Sequence, residues 1–64
     1  MKPSEAELRQ TVERMEQRLR LHPQFPVYER LRELFAADLL NERDVLLSRA
    51  AVLMLLHETA SDAA

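Results

Sequence analysis

Three features of this sequence predict an all-α fold: a small three-helix domain, a helical hairpin plus an N-terminal helix, completed by dimerisation. The first is composition. Glycine is absent from all 64 residues, and Leu, Arg, Glu and Ala, all strong helix formers, dominate. The second is periodicity, since apolar residues recur at helical spacing between clear start and stop signals. The third is the run Val45 to Leu56, V-L-L-S-R-A-A-V-L-M-L-L, broken only by Ser48 and Arg49. A helix drawn through it is hydrophobic on every side, so it has to be covered on every side. A chain this short has little material with which to do so.

The first helix is expected from about 5 to 21, after a frayed start at 1–3. Ser4 and Glu7 match the capping-box spacing, in which each side chain satisfies a backbone N–H of the first turn. Leu8, Val12, Met15 and Leu19 then alternate at spacings of four and three, a narrow seam that lays one stripe on another helix. Glu5 with Arg9, and Glu16 with Arg20, have the spacing of favourable surface pairs.

His22-Pro23-Gln24-Phe25-Pro26 makes the corner, because each proline pushes the residue before it out of the helical region. Pro26 suits the first position of a second helix, expected at 26–40. Its broad apolar face is Val27, Tyr28, Leu31, Leu34, Phe35 and Leu39; Glu29, Arg30, Arg32, Glu33 and Asp38 form the wet side. Asn41 is a good N-cap, and Glu42 and Asp44 suit the positive end of a helix dipole. They open a third helix at 42–58, antiparallel to the second. The tail 59–64 is small and polar and is expected to be disordered. Residues 1–64 thus form a single domain.

Composition also excludes several stabilising devices and chemistries. Without cysteine there are no disulfides and no thiolate metal site, and two histidines, His22 and His57, are too few for a closed zinc centre. Without glycine there is no phosphate-cradling loop and no nucleophile elbow. The formal charge of −2 favours neither a basic nor an acidic partner. The N-terminal M-K-P-S-E-A-E lacks the apolar core of a signal peptide. The apolar run is too short for a membrane span and carries Arg49 at its middle. A cytoplasmic protein is expected.

Individual residues yield no reaction. His57-Glu58 opens like the zinc motif H-E-x-x-H, but Ser61 stands where the second histidine belongs. A histidine near the last carbonyls of a helix explains His57 without a ligand. His22 reads as a solvated or capping loop group, and Tyr28 as an amphipathic residue at the edge of the core. Arg18, Arg20, Arg30 and Arg32 flank the corner and could form a basic patch, but Glu16, Glu29 and Glu33 are interleaved with them. No catalytic, cofactor-binding or metal residue is expected.

What remains is an interface. Val45, Arg49, Val52, Met54, Leu55 and Leu56 are the expected partner-facing residues of the third helix. Arg49 has two readings: its stem lies along apolar surface with its head in water, or its head meets an acid of another helix or subunit and sets register. Ser48, Ala50 and Ala51 are small enough for close helix contact. The expected function is a non-enzymatic protein–protein interaction module: a small adaptor, an assembly chaperone, or an immunity or antitoxin-like inhibitor. Its expected partners are a second copy in a homodimer and/or another protein. The alternative is a small helix-turn-helix DNA-binding regulator, with the second and third helices as the motif. A recognition helix should be polar, whereas the third helix is the most apolar, so nucleic acid is not the expected partner.

The stretch R-L-R-L-H-P-Q-F-P-V-Y, Arg18 to Tyr28, behind an amphipathic helix resembles small helical immunity proteins of bacterial interbacterial-toxin systems. The size and helical hairpin resemble small type III secretion chaperones. Each resemblance covers under half of the chain and implies a protein-binding role; no functional residue is carried over from either.

Overall fold

A computed structural model describes residues 4–63, with side chains through residue 59. It contains three helices in chain order: α1 Glu5–Arg18, α2 Phe25–Asp38 and α3 Glu42–Ala63. Among the described residues there is no strand. The start expected to fray, 1–3, lies outside this range.

Ser4 caps α1 as its spacing predicts: its Oγ accepts from the Glu7 N–H at 3.2 Å. Leu8 and Val12 of the expected seam are buried, with Leu19 just past the helix end and Met15 partly covered. The helix ends at Arg18 rather than 21. Its last turn closes through the Leu19 N–H to the Met15 carbonyl, and the buried Leu19 side chain holds the chain at that point. Turns bridge 19–24, where the Gln24 N–H donates to His22 Nδ1 at 3.0 Å. His22 is therefore a capping group of the proline corner.

Helix α2 begins one residue before Pro26, and Phe25 is buried with its ring 5.2 Å from that of Tyr28. Its inward face is turned relative to the expected one. Phe25 and Tyr28 are buried and Leu31, Phe35 and Leu39 half-buried, while Val27 and Leu34 are exposed. It stops at Asp38, because the chain must extend through Leu39 and Leu40 before Asn41 can cap α3. That cap forms: the Arg43 N–H donates to Asn41 Oδ1 at 2.8 Å.

Helix α3 runs on through Ala63 rather than ending at 58, so most of the segment expected as a tail is helical backbone. No glycine or proline stops it, and the Thr59 hydroxyl bonds back to the Leu55 carbonyl without interrupting the ladder. At 22 residues α3 spans about 33 Å, close to the 34 Å long axis of the molecule.

Both shorter helices pack on α3, and among the described residues their backbones do not approach each other. Ion pairs join Arg9 to Glu42 and Glu16 to Arg49 at the same sequence offset, so α1 runs parallel to α3. The short 39–41 connection makes α2 antiparallel to it. The shortest dimension is 15 Å, room for two helix layers at a normal spacing of roughly 8–10 Å. One layer is α1 with α2; the other is α3. Leu46 and Leu53 of α3, with Leu56, fill the seam between the layers beside Val12, Phe25 and Tyr28.

Candidate functional site

Helix α3 carries two faces of different chemistry. The inner face holds a polar network at its centre, with each helix supplying a member. Glu16 of α1 is mostly buried, and its Oε2 accepts three hydrogen bonds. The donors are the Tyr28 hydroxyl of α2, Arg32 Nη1 of α2 at 3.2 Å and Arg49 Nη2 of α3 at 2.6 Å. Arg49 Nε also donates to Tyr28 Oη at 3.3 Å. Arg49 therefore meets an acid of another helix, in its own chain. Among the described residues no buried side-chain nitrogen or oxygen lacks a hydrogen-bond partner.

This placement favours one protonation state for Glu16, Tyr28 and Arg49. Burial raises the Glu16 carboxyl, but the hydrogen bond from Tyr28 and the hydrogen bonds and charge of Arg49, with Arg32 behind them, outweigh it, and its pKa falls below the ordinary value. Burial first, then the bond to the Glu16 carboxylate, push the Tyr28 phenol up to about 12. Burial alone would lower Arg49, yet its bonds to Tyr28 and Glu16 leave it raised. Each group is held more firmly in its usual neutral-pH form. Proton transfer asks for the reverse, a pKa drawn toward the working pH. The network suits a clamp that fixes the mutual register of three helices.

The expected surface pairs are replaced. Glu5 with Arg9 and Glu16 with Arg20 give way to Arg9 with Glu42 and Glu16 with Arg49, which join different helices. The four arginines around the corner are divided among separate recesses. Arg20 and Arg32 line an open groove between α1 and α2 together with Glu13, Glu16 and Glu29. Arg18 borders a small recess with Met15, Leu19 and His57, and Arg30 lies beside Glu33 and Leu34. Among the described residues no three His, Asp or Glu side chains converge as metal ligands, and no helix is long and apolar enough to cross a membrane.

The outer face of α3 is apolar. Leu47, Ala51, Met54 and Leu55 follow the i, i+4, i+7, i+8 spacing of one helix stripe, and all four are exposed. Met54 is 57% and Leu55 62% accessible. Helical phase puts them opposite the buried Leu46, Leu53 and Leu56. Val27 and Leu34 add exposed apolar side chains on α2, on the flank away from Glu29 and Arg32.

The expected interface residues thus divide. Met54 and Leu55 lie on the open stripe. Val45 and Val52 are half-buried, Arg49 is held by Glu16, and Leu56 is buried at 8% in the core of its own chain. Leu47 and Ala51 complete the stripe and were not among the expected residues. Their spacing from Leu55 was the available signal, but in a run apolar on every side it has no polar contrast to stand out against.

No protein-family model, no curated protein and no solved structure matches this chain.

Proposed function

We propose that this protein is a non-enzymatic helical interaction module that works through the outer surface of α3, joining a second copy of itself in a homodimer or a different protein. Small adaptors, assembly chaperones and immunity or antitoxin-like inhibitors are the class it fits, in a cytoplasmic setting. The observation that carries the reading is the exposed stripe Leu47, Ala51, Met54 and Leu55 on the helix against which the rest of the fold packs. Contiguous apolar surface left open on so small a domain marks an interface. A DNA-binding role draws no support from it, because a recognition helix presents polar side chains to the groove and this stripe is apolar.

Solution mass measured across concentration, together with binding of an apolar fluorescent dye, tests the proposal in the chain and in Leu55→Glu. The expected result is a dimer that Leu55→Glu dissociates, or a monomer whose dye binding the substitution reduces. A monomer that binds no dye and is indifferent to the substitution would overturn it.

A further inference from the structure

The open stripe of α3 contains one chemically reactive side chain. The sequence has no cysteine, so no thiol competes for an oxidant, and its sulfur atoms are those of three methionines. Leu47, Ala51 and Leu55 carry only hydrocarbon, which a peroxide leaves alone. Met54 stands among them with its thioether, and it is 57% accessible.

Met15 supplies the contrast. It is partly covered and packed against the buried residues of the seam. A polar oxygen added there would sit against apolar neighbours and disturb the core. An oxygen added to Met54 stays in water as long as the stripe is open, so the single chain gives up little by carrying it.

Building on the interaction reading above, we propose that Met54 is an oxidation site through which a hydroperoxide closes the outer face of α3 to whatever apolar surface covers it. A lone pair of the thioether sulfur attacks one peroxide oxygen. The O–O bond breaks, an S–O bond forms, and the displaced oxygen leaves as water or, from an organic hydroperoxide, as an alcohol. Sulfur loses two electrons and the peroxide gains them. The resulting sulfoxide is a polar, chiral group in place of a flexible apolar one. Its oxygen must be stripped of water before any apolar occupant can cover the stripe, whether that is a second copy or a different protein. The change is reversible, since a methionine sulfoxide reductase, drawing two electrons and two protons from thiols, releases the oxygen as water.

The test treats the full chain with hydrogen peroxide and follows each methionine by peptide mass mapping. Met54 is expected to oxidise about tenfold faster than the partly covered Met15. The chain oxidised at Met54 should keep its urea midpoint but self-associate, or bind an apolar dye, about tenfold more weakly, and the reductase should restore it. Peroxide should leave Met54→Leu at that variant's own untreated level, while Met15→Leu should stay sensitive. Met15 oxidising as fast as Met54, unchanged binding once Met54 is oxidised, or an equal peroxide effect in Met54→Leu would overturn the proposal. Leu55→Glu in the untreated chain separates the two readings. If it lowers the mass or the dye binding and oxidation does not, the oxidation site alone falls. If neither changes them, the interaction reading falls with it.

Discussion

The two faces of α3 are built from nearly the same amino acids and end in opposite environments. Leu46, Leu53 and Leu56 are buried; Leu47, Met54 and Leu55, each a sequence neighbour of one of them, are open. The difference comes from what the other helices bring. Met15 of α1 and Leu19 just past its end, with Phe25 and Tyr28 of α2, give the inner face apolar cover, and Glu16 gives Arg49 a counter-charge. No third layer exists among the described residues to cover the outer face. Hydrophobicity along a helix therefore says how much surface must be covered, and the partner helices decide which part of it the fold covers.

The largest effect that would sharpen this contrast lies at Leu53, which is fully inaccessible. Leu53→Ala removes buried methylenes and leaves a cavity, at a cost of about 3 kcal/mol. Only a small set of side chains is buried here, so that loss should bring the urea midpoint close to zero. Leu47→Ala, six residues earlier and on the open face, should move the midpoint little. Equal losses at the two sites would mean that the outer face is covered in solution as well.

Alkaline pH probes the inner face through its network. The Tyr28 phenol is pushed from its ordinary 10.0 to about 12, so the fold favours the neutral form. Its contribution is complete below pH 10 and is lost as pH rises through about 12, roughly 2–3 kcal/mol in all. Tyr28 is the sole tyrosine, so ultraviolet absorbance titrates it directly. Ionisation near 12 in the folded chain, falling to about 10 in urea, is the expected pair of values. A folded value near 10 would break the network account. The acid side has the opposite sign: the lowered Glu16 stabilises above the ordinary carboxylate value and stops doing so as pH falls through its own, lower one.

A smaller effect separates the clamp from a mere surface pair. Arg49→Met and Glu16→Gln should each cost about 1–2 kcal/mol, because each leaves a partly buried partner with lost hydrogen bonds. Combined, they should cost less than the sum, with a coupling of about 1 kcal/mol in a double-mutant cycle. Arg9→Met, whose ion pair with Glu42 is exposed on both sides, should give almost nothing.

Much of this fold was legible because it rests on local chemistry. Ser4 and Asn41 act through neighbours in sequence and cap their helices as their spacing predicts; the proline corner also forms, although α2 starts at Phe25, one residue before Pro26. The helix ends were less legible, since Leu19 ends α1 by turning into the core and no stop signal follows Glu58. The site was half legible. Glu16 reads as a partner of Arg20 along one helix, a pairing worth only a few tenths of a kcal/mol, and the arrival of Tyr28, Arg32 and Arg49 from elsewhere outweighs it. Which side of α3 stays open depends on where α1 and α2 dock, and a run apolar all round carries no mark of that.

The sharpest form of the comparison concerns two adjacent leucines. Leu55 is 62% accessible and Leu56 8%. One step along a helix turns a side chain by about 100°, enough to carry it from the open stripe into the seam beneath α1 and α2. Leu56→Ala should therefore destabilise the isolated chain by about 2–3 kcal/mol, whereas Leu55→Ala should stay within about 0.5 kcal/mol. Thermal unfolding of the two variants at a concentration low enough to keep the chain monomeric measures both. If Leu55→Ala costs as much as Leu56→Ala under those conditions, the outer stripe belongs to the core of the single chain. If its cost appears only as concentration rises, the stripe is covered by a second copy, because only then does its stabilisation follow mass action.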